Sequence, residues 1–186
     1  MQISDDILCL ILTYLPYFSL NNYFVILQIP VNLQQKIKQI IYKQRLTIET
    51  INNDTIYVLD GYLHRDDGPA VIKANGSLEW YVNGALHNIH GPAITTPTGY
   101  QSWWQNGKRH NLHGPAIITP DGHKEWWQNG KRHNNKGPAV EYTNGTQFWY
   151  VRGRSHRLNG PARIFPNGVL EYWVNGKLIN DKRIKR

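Results

Sequence analysis

The chain is poor in residues that could cross-link it or anchor it in a membrane. It has a single cysteine and a single methionine among 186 residues. No intrachain disulfide can therefore form, as is typical of proteins from a reducing, intracellular setting. The main apolar run, residues 7–18, is about twelve residues long, against the roughly twenty that a membrane-spanning helix needs. Two aspartates rather than basic residues precede it, so we expect neither a signal peptide nor a transmembrane helix.

Acidic side chains are also scarce. Asp and Glu number 13 against 21 Lys and Arg, a formal charge of +8. The imbalance is local, because residues 1–100 carry 6 basic and 8 acidic side chains, net −2, whereas residues 101–186 carry 15 and 5, net +10. A surface that attracts anionic partners is therefore expected in the second half of the chain.

Glycine is confined to three positions of a 23-residue period, which holds without insertion or deletion from residue 61 to residue 176. Repeats start near residues 61, 84, 107, 130 and 153, and a partial unit starts at 176. Such a period indicates identical structural modules stacked in series. Because glycine alone adopts positive φ at low cost, we expect all three glycine columns to be selected for backbone conformation.

The glycine columns predict two turns per repeat. Asn-Gly, as at Asn106-Gly107, favours a two-residue type I′ hairpin. Pro-Asp-Gly, as at 120–122, favours a three-residue loop with glycine at its left-handed position. The middle column is always Gly-Pro-Ala, where proline interrupts a strand ladder. We therefore predict that residues such as 134–137 form a loop between strands.

The hairpin turn also predicts which side chains face each other. Counting back from the turn pairs Trp126 with His133 on one face, and Trp127 with Arg132 on the other. The same register pairs Trp103 with His110, Trp80 with His87, Trp149 with His156 and Trp104 with Arg109. All seven tryptophans fall in two columns, so each ring needs a neighbouring repeat to shelter it.

These observations predict an α+β fold that is mainly β. We expect a small helical module over residues 1–47 and, over 48–186, an elongated single-layer antiparallel meander of 23-residue repeats. Pro30 divides the helical module into two pieces.

The repeats resemble MORN-type repeats, in the variant form found in proteins of large DNA viruses and some bacteria. The resemblance covers residues 56 to about 179 and rests on the repeat length, the aromatic before the turn, the N-G-K-x-H core and the later turn glycine. Representative units read WYVNGALHNIHGPAITTPTG, WWQNGKRHNLHGPAIITPDG and WWQNGKRHNNKGPAVEYTNG.

The N-terminal segment ISDDILCLILTYLP, residues 3–16, resembles the first half of an F-box. Family members use this region to dock on the Skp-type adaptor of cullin ubiquitin ligases. The resemblance implies that the adaptor-binding residues are Ile7, Leu8, Ile11, Leu12, Leu15 and Pro16. A second interpretation is a plain helical cap over the open edge of the first repeat, since an uncovered edge strand invites aggregation.

The basic residues near successive hairpin ends alternate with aromatic residues. Trp and Arg dominate the energetics of protein interfaces, so we predict a client-binding surface formed by Trp104, Arg109, Trp127, Arg132, Tyr150 and Arg154. The alternative is a solvated turn edge on which Arg stacks against Trp. Anionic lipid is a possible partner of the same stripe, and nucleic acid is not expected.

Neither catalysis nor metal binding is predicted. Cys9 has no histidine nearby in sequence, the carboxylates are scattered, and every glycine belongs to the repeat, which leaves no phosphate-binding loop. Histidines one repeat apart would lie about 9 to 10 Å from each other, too far to share a zinc ion. We expect no enzyme, no metal and no cofactor.

The sequence thus predicts a non-enzymatic, cytoplasmic adaptor, in the host cytoplasm if the protein is viral. Its F-box-like module would dock the Skp-type adaptor, and its repeats would bind a client protein for ubiquitination. The alternative is a scaffold that binds an acidic surface, either anionic phospholipid or a virion component, through the basic repeats.

Overall fold

The structure is a computed structural model, which describes residues 13–16, 19, 20, 22, 24 and 29–182. Four predicted adaptor-binding residues, Ile7, Leu8, Ile11 and Leu12, lie outside the described residues. Helix α1 (Val31–Arg45) begins after Pro30, whose carbonyl oxygen accepts from the backbone N–H groups of Leu33 and Gln34. Lys43 and Arg45 lie in its last turn, where cations interact favourably with the helix dipole.

The helical part has its own small apolar core. Ile37 and Ile41, four residues apart on one face of α1, are 3% and 0% exposed. They pack with the buried side chains of Leu20, Phe24 and Ile29. In the part of the chain that the structure describes, no helix is long and apolar enough to cross a membrane.

The rest of the described chain is an antiparallel meander, as predicted. Its strands are β1 (Leu46–Ile51), β2 (Asp54–Leu59), β3 (Tyr62–Leu63), β4 (Val71–Ile72), β5 (Leu78–Glu79), β6 (Tyr81–Val82), β7 (Ala85–Leu86), β8 (Ile94–Thr95), β9 (Gln101–Ser102), β10 (Trp104–Gln105), β11 (Lys108–Arg109), β12 (Ile117–Ile118), β13 (Lys124–Glu125), β14 (Trp127–Gln128), β15 (Lys131–Arg132), β16 (Val140–Glu141), β17 (Gln147–Phe148), β18 (Tyr150–Val151), β19 (Arg154–Ser155), β20 (Arg163–Ile164), β21 (Leu170–Val174) and β22 (Lys177–Lys182).

These strands form one long sheet and four separate hairpins. The sheet has 14 strands in the order β1-β2-β4-β5-β8-β9-β12-β13-β16-β17-β20-β21-β22, with β3 paired to β2. The hairpins are β6-β7, β10-β11, β14-β15 and β18-β19. Trp103 lies at the junction between sheet and hairpin, because its N–H donates to Ala116, just before sheet strand β12, and its carbonyl oxygen accepts from His110, just after hairpin strand β11.

The predicted turns and pairs are confirmed. Asn106 and Gly107 have φ of 49° and 71°, the left-handed pair that a type I′ turn requires. Gly122 has φ of 90° and closes the three-residue loop through its N–H to Thr119. Residues 134–137 lie outside the strands. In the hairpins, Trp104 faces Arg109, Trp127 faces Arg132, and the four predicted Trp and His pairs share a backbone hydrogen bond.

One prediction about glycine is wrong for most of the middle column. Gly68, Gly91, Gly114 and Gly137 do not have positive φ, and in this column only Gly160 does. The chain there is in a loop that ends at proline rather than in a tight turn, so no left-handed residue is needed. A Cβ added at Gly114 would lie 3.7 Å from the amide nitrogen of Asn111, an ordinary contact.

A small residue recurs among the deepest positions of the repeat sheet. The alanine that follows each Gly-Pro is 0% exposed in all five repeats: Ala70, Ala93, Ala116, Ala139 and Ala162. The tryptophans are only half-buried. Sequence analysis also missed strand β1, which pairs with β2 through a turn at Asn52 and Asn53, both with positive φ. This Asn-Asn turn lies outside the glycine period and so carries no repeat signal.

Candidate functional site

Aromatic and arginine side chains alternate on one face of the hairpins. The guanidinium carbon of Arg109 lies 5.0 Å from the ring centroid of Trp104 and 5.2 Å from that of Trp127. Arg132 lies 5.2 Å from Trp127 and 5.6 Å from the ring of Tyr150. These distances fall within the range of cation–π contacts. We call the five residues the arginine–aromatic ladder; it spans three successive hairpins.

A column of hydrogen-bond acceptors supports this ladder from the adjoining strands. One aromatic column contains Trp104, Trp127 and Trp173. The residue two positions before each of these aromatics lies on the same face of the strand. Ser102 Oγ accepts from Trp104 Nε1 at 2.8 Å, and Glu125 Oε2 accepts from Trp127 Nε1 at 2.7 Å. Glu171 accepts likewise from Trp173 at 2.8 Å. Sequence reasoning missed this column, although its i, i+2 spacing to the aromatics is visible in four repeats; in the remaining one, Phe148 stands two residues before Tyr150.

Glu125 is the most heavily bonded member of the column. Its carboxylate accepts from Arg132 Nε at 3.2 Å and Nη2 at 3.1 Å, and it contacts His123 Nε2 at 3.1 Å. Burial by itself raises the pKa of Glu125, but the hydrogen bonds from Arg132 and His123 outweigh it and hold that pKa below the usual value. Glu125 therefore stays ionised and compensates the charge of Arg132.

Arg109 lacks such a partner. The corresponding acceptor in its repeat is Ser102, which is neutral and already bonded to Trp104. Within the described part of the chain, no protein group accepts a hydrogen bond from the Arg109 guanidinium, and its Nε is buried. The ladder thus contains one compensated and one uncompensated cation, each between two aromatic rings.

A similar contact between an arginine and an aromatic ring is present in the last repeat, but its arginine comes from a different sequence position. Ser155 occupies the position of Arg132 one repeat later, facing Tyr150 across the hairpin. Arg163, from the neighbouring sheet strand, lies 4.6 Å from the ring of Trp173 and donates to Ser155 Oγ at 3.1 Å. Its Nη1 is 3.5 Å from Glu171. A guanidinium with a carboxylate partner therefore recurs, although no sequence column contains it.

Arg154 does not lie with the other predicted client-binding residues. In its hairpin Tyr150 faces Ser155 and Val151 faces Arg154, so alternation places Arg154 on the opposite face. There it lines a groove of about 950 Å³ with Lys108, Lys131 and Arg152. The other lining residues are Gln128, Asn129, His133, Asn135, Val151 and Asn175. We call this the basic groove.

The histidine column joins successive repeats. His110 Nδ1 accepts from the backbone N–H of Asn129, the first turn residue of the next hairpin, at 3.2 Å. The same bond recurs in the four other repeats at 3.1 Å, where the backbone N–H of the next turn donates to Nδ1 of the column histidine: His64, His87, His133 and His156. Among the residues described, no three His, Cys, Asp or Glu side chains are grouped so as to hold a metal ion.

The two predicted adaptor-binding residues that the structure describes lie where the helical part meets the sheet. Leu15 packs partly buried against the helical core, and Pro16 is exposed. Arg45, at the end of α1, donates to the Leu15 carbonyl oxygen and is 3.5 Å from Asp60 on the sheet. The helical part therefore contacts the turn between β2 and β3. The edge of β2 itself is covered by strand β1 and not by a helix, so the structure does not show the cap in the form that the sequence suggested.

Comparison with known proteins adds no family to these observations. No family model matches the chain, and no curated protein matches it.

Proposed function

We propose that the chain is a non-enzymatic protein-interaction adaptor whose repeat face binds a client. The arginine–aromatic ladder is the observation that supports this proposal. Its rings are half-buried rather than buried, so they stay available to a partner. Each of its two cations lies between two rings, which leaves little side-chain entropy to lose on binding. Preordered Trp, Tyr and Arg side chains are the residues that contribute most to interface hot spots.

The proposal assigns the N-terminal module to docking on a Skp-type ubiquitin-ligase adaptor, in the cytoplasm of a host cell if the protein is viral. Support for this part comes from the F-box-like sequence of residues 3–16. The single cysteine is consistent with a reducing compartment.

Purified Skp-type adaptor tests the docking step directly. Leu12→Asp in the full chain should abolish co-elution with the adaptor, because a carboxylate cannot be buried unpaired in an apolar interface. Ile48→Asp is the matched control, since Ile48 is 61% exposed on β1 and outside the F-box-like segment. Folded wild-type protein that does not bind the adaptor would remove the ligase part of the proposal.

Client binding is tested separately on the ladder. Clients identified by proximity labelling in cells should be lost on Trp127→Ala, which removes the ring shared by Arg109 and Arg132. Lys124→Ala provides the control, because Lys124 is exposed on the adjoining strand β13. Equal labelling by both variants would contradict the assignment of the ladder as the client surface.

The basic groove favours a second candidate function, a scaffold that binds an acidic surface such as anionic phospholipid. None of its lining residues is acidic, and the cations come from consecutive repeats. Salt-sensitive binding to phosphatidylserine vesicles that is lost on Lys108→Glu with Lys131→Glu would support this function. Vesicle binding unaffected by these two substitutions would reject it.

A further inference from the structure

The strongest unexplained feature of the molecule is the uncompensated charge of Arg109. Of the three guanidinium groups on this face, Arg132 and Arg163 each have a glutamate partner within the chain, Glu125 and Glu171 respectively. Arg109 has the same flanking rings but no carboxylate. A cation between two indoles loses part of its hydration and here has no negative charge to compensate it. An anion from outside therefore binds there with a more favourable free energy than at an exposed arginine.

The neighbouring repeat shows which anion this environment accepts. Around Arg132 the chain has the same hairpin, the same indole of Trp127 and the same register, and the anion is the carboxylate of a glutamate, bound through two nitrogens. Beside Arg109, the position that corresponds to Glu125 is occupied by Ser102, which is shorter and neutral. Repeat symmetry therefore points to a carboxylate as the complementary group, and a phosphate is the competing anion that the experiment below distinguishes from it.

The direction of approach follows from burial. Nε of Arg109 is covered by the protein and has no partner, whereas Arg109 as a whole is half-buried. An incoming carboxylate therefore meets the outer edge of the guanidinium, at the two terminal nitrogens, and makes the end-on bidentate pair that arginine favours. The ring centroids of Trp104 and Trp127 lie 5.0 and 5.2 Å from the guanidinium carbon, close enough to offer apolar contact to the methylene groups of an incoming side chain.

We propose that Arg109, between Trp104 and Trp127, is the binding pocket for a glutamate or aspartate side chain of an acidic protein partner. This inference rests on the proposed function, because it names the chemistry of the client that the ladder binds. The net charge of +10 in residues 101–186 adds long-range attraction to an acidic segment, and the pocket supplies its point of specificity.

The test uses a substitution that the chain already contains one repeat away. Ser102→Glu should supply Arg109 with an internal carboxylate, as Glu125 does for Arg132 through Nε and Nη2, and so neutralise the charge that attracts the partner. Ser102→Gln is the matched control of nearly equal size without charge. With a fluorescently labelled oligoglutamate peptide as the probe, Ser102→Glu should weaken binding about tenfold or more, as expected when a close charge pair is lost. Ser102→Gln should stay within about twofold of the wild type.

A local readout separates the pocket from the basic groove, which also attracts an acidic peptide. The indole N–H of Trp104 is bonded to Ser102, so its NMR signal should shift when the peptide binds to the wild type, while the signal of Trp173 stays in place. Unchanged affinity in Ser102→Glu, equal loss in Ser102→Gln, or an unshifted Trp104 signal overturns the proposal. Arg109→Gln replaces Ser102→Glu if that variant does not fold, and retained binding there has the same meaning.

Two further measurements identify the anion and distinguish failure of the pocket from failure of the proposed function. Inorganic phosphate, or vesicles of phosphatidylglycerol, whose headgroup has a phosphate and no carboxylate, that bind with the same sensitivity to Ser102→Glu, when oligoglutamate does not, would reject the carboxylate. If Trp127→Ala abolishes client labelling and Ser102→Glu leaves it unchanged, the pocket is rejected and the ladder is retained as the proposed client surface.

Discussion

Glu125 offers the sharpest test of how the repeats are held together. Glu125→Ala removes the acceptor of the Trp127 indole and the bidentate partner of Arg132. Breaking a buried ion pair by removing one partner costs about 3–5 kcal/mol. The Arg132 side chain is 35% exposed, so water partly replaces the carboxylate. We therefore expect a loss of about 2–3 kcal/mol in the free energy of unfolding.

A chain of this size changes its melting temperature by about 2–4 °C per kcal/mol, so the variant should melt roughly 5–10 °C lower. Circular dichroism and tryptophan fluorescence measure this shift. Glu125→Ser is the matched variant, because Ser102 already serves Trp104 in this way. It should recover about 1 kcal/mol through the indole hydrogen bond.

The effect should also depend on pH. The pKa of Glu125 is lowered in the folded state, so its contribution is complete above the ordinary glutamate value of about 4.3 and is lost as pH falls through the lower folded value. The gap in melting temperature between wild type and Glu125→Gln should therefore close in acid. An Ala variant that melts with the wild type at neutral pH, or a gap that widens in acid, would refute this reasoning.

Two further comparisons test the repeat architecture by urea denaturation. His110→Ala removes the acceptor of the Asn129 turn N–H and should lower the free energy of unfolding by about 1 kcal/mol, the usual value of one hydrogen bond. The control His113→Ala should be nearly neutral, because His113 is exposed. Equal losses of stability in the two variants would contradict a joining role for the histidine column. Gly107→Ala, at φ of 71°, should cost about 1–2 kcal/mol. Gly114→Ala should cost less, since its φ is not positive and the added Cβ makes only ordinary contacts; the reverse order would contradict the backbone argument.

Much of the fold could be predicted because its determinants are local. A two-residue Asn-Gly loop sets both the turn type and the register of the hairpin, and so the facing of Trp104 with Arg109 follows from counting. Alternation along a strand then assigns the faces. The same rule, applied to the pair Val151 and Arg154, places Arg154 on the face opposite the arginine–aromatic ladder.

Five of the six residues predicted for the client-binding surface form the arginine–aromatic ladder, whereas Arg154 lies on the opposite face. The charge pairing around the ladder was not predicted. The partner of Arg132 stands seven residues earlier, on the adjoining strand, and the link from each histidine to the next turn spans nineteen residues. These contacts depend on how the chain passes from the sheet into the hairpin, at Trp103 and at the equivalent position of each repeat. Periodicity alone does not describe that passage.

The sequence by itself determined the 23-residue module, its two turns and the order in which modules stack, because glycine and proline act on the backbone within a few residues. Only the tertiary structure decided that alanines rather than tryptophans occupy the deepest positions, and that Arg163 takes the place of an absent hairpin arginine. It also decided which guanidinium groups have a carboxylate partner. Burial and charge pairing depend on distances between strands, and those distances exist only once the modules have packed against each other.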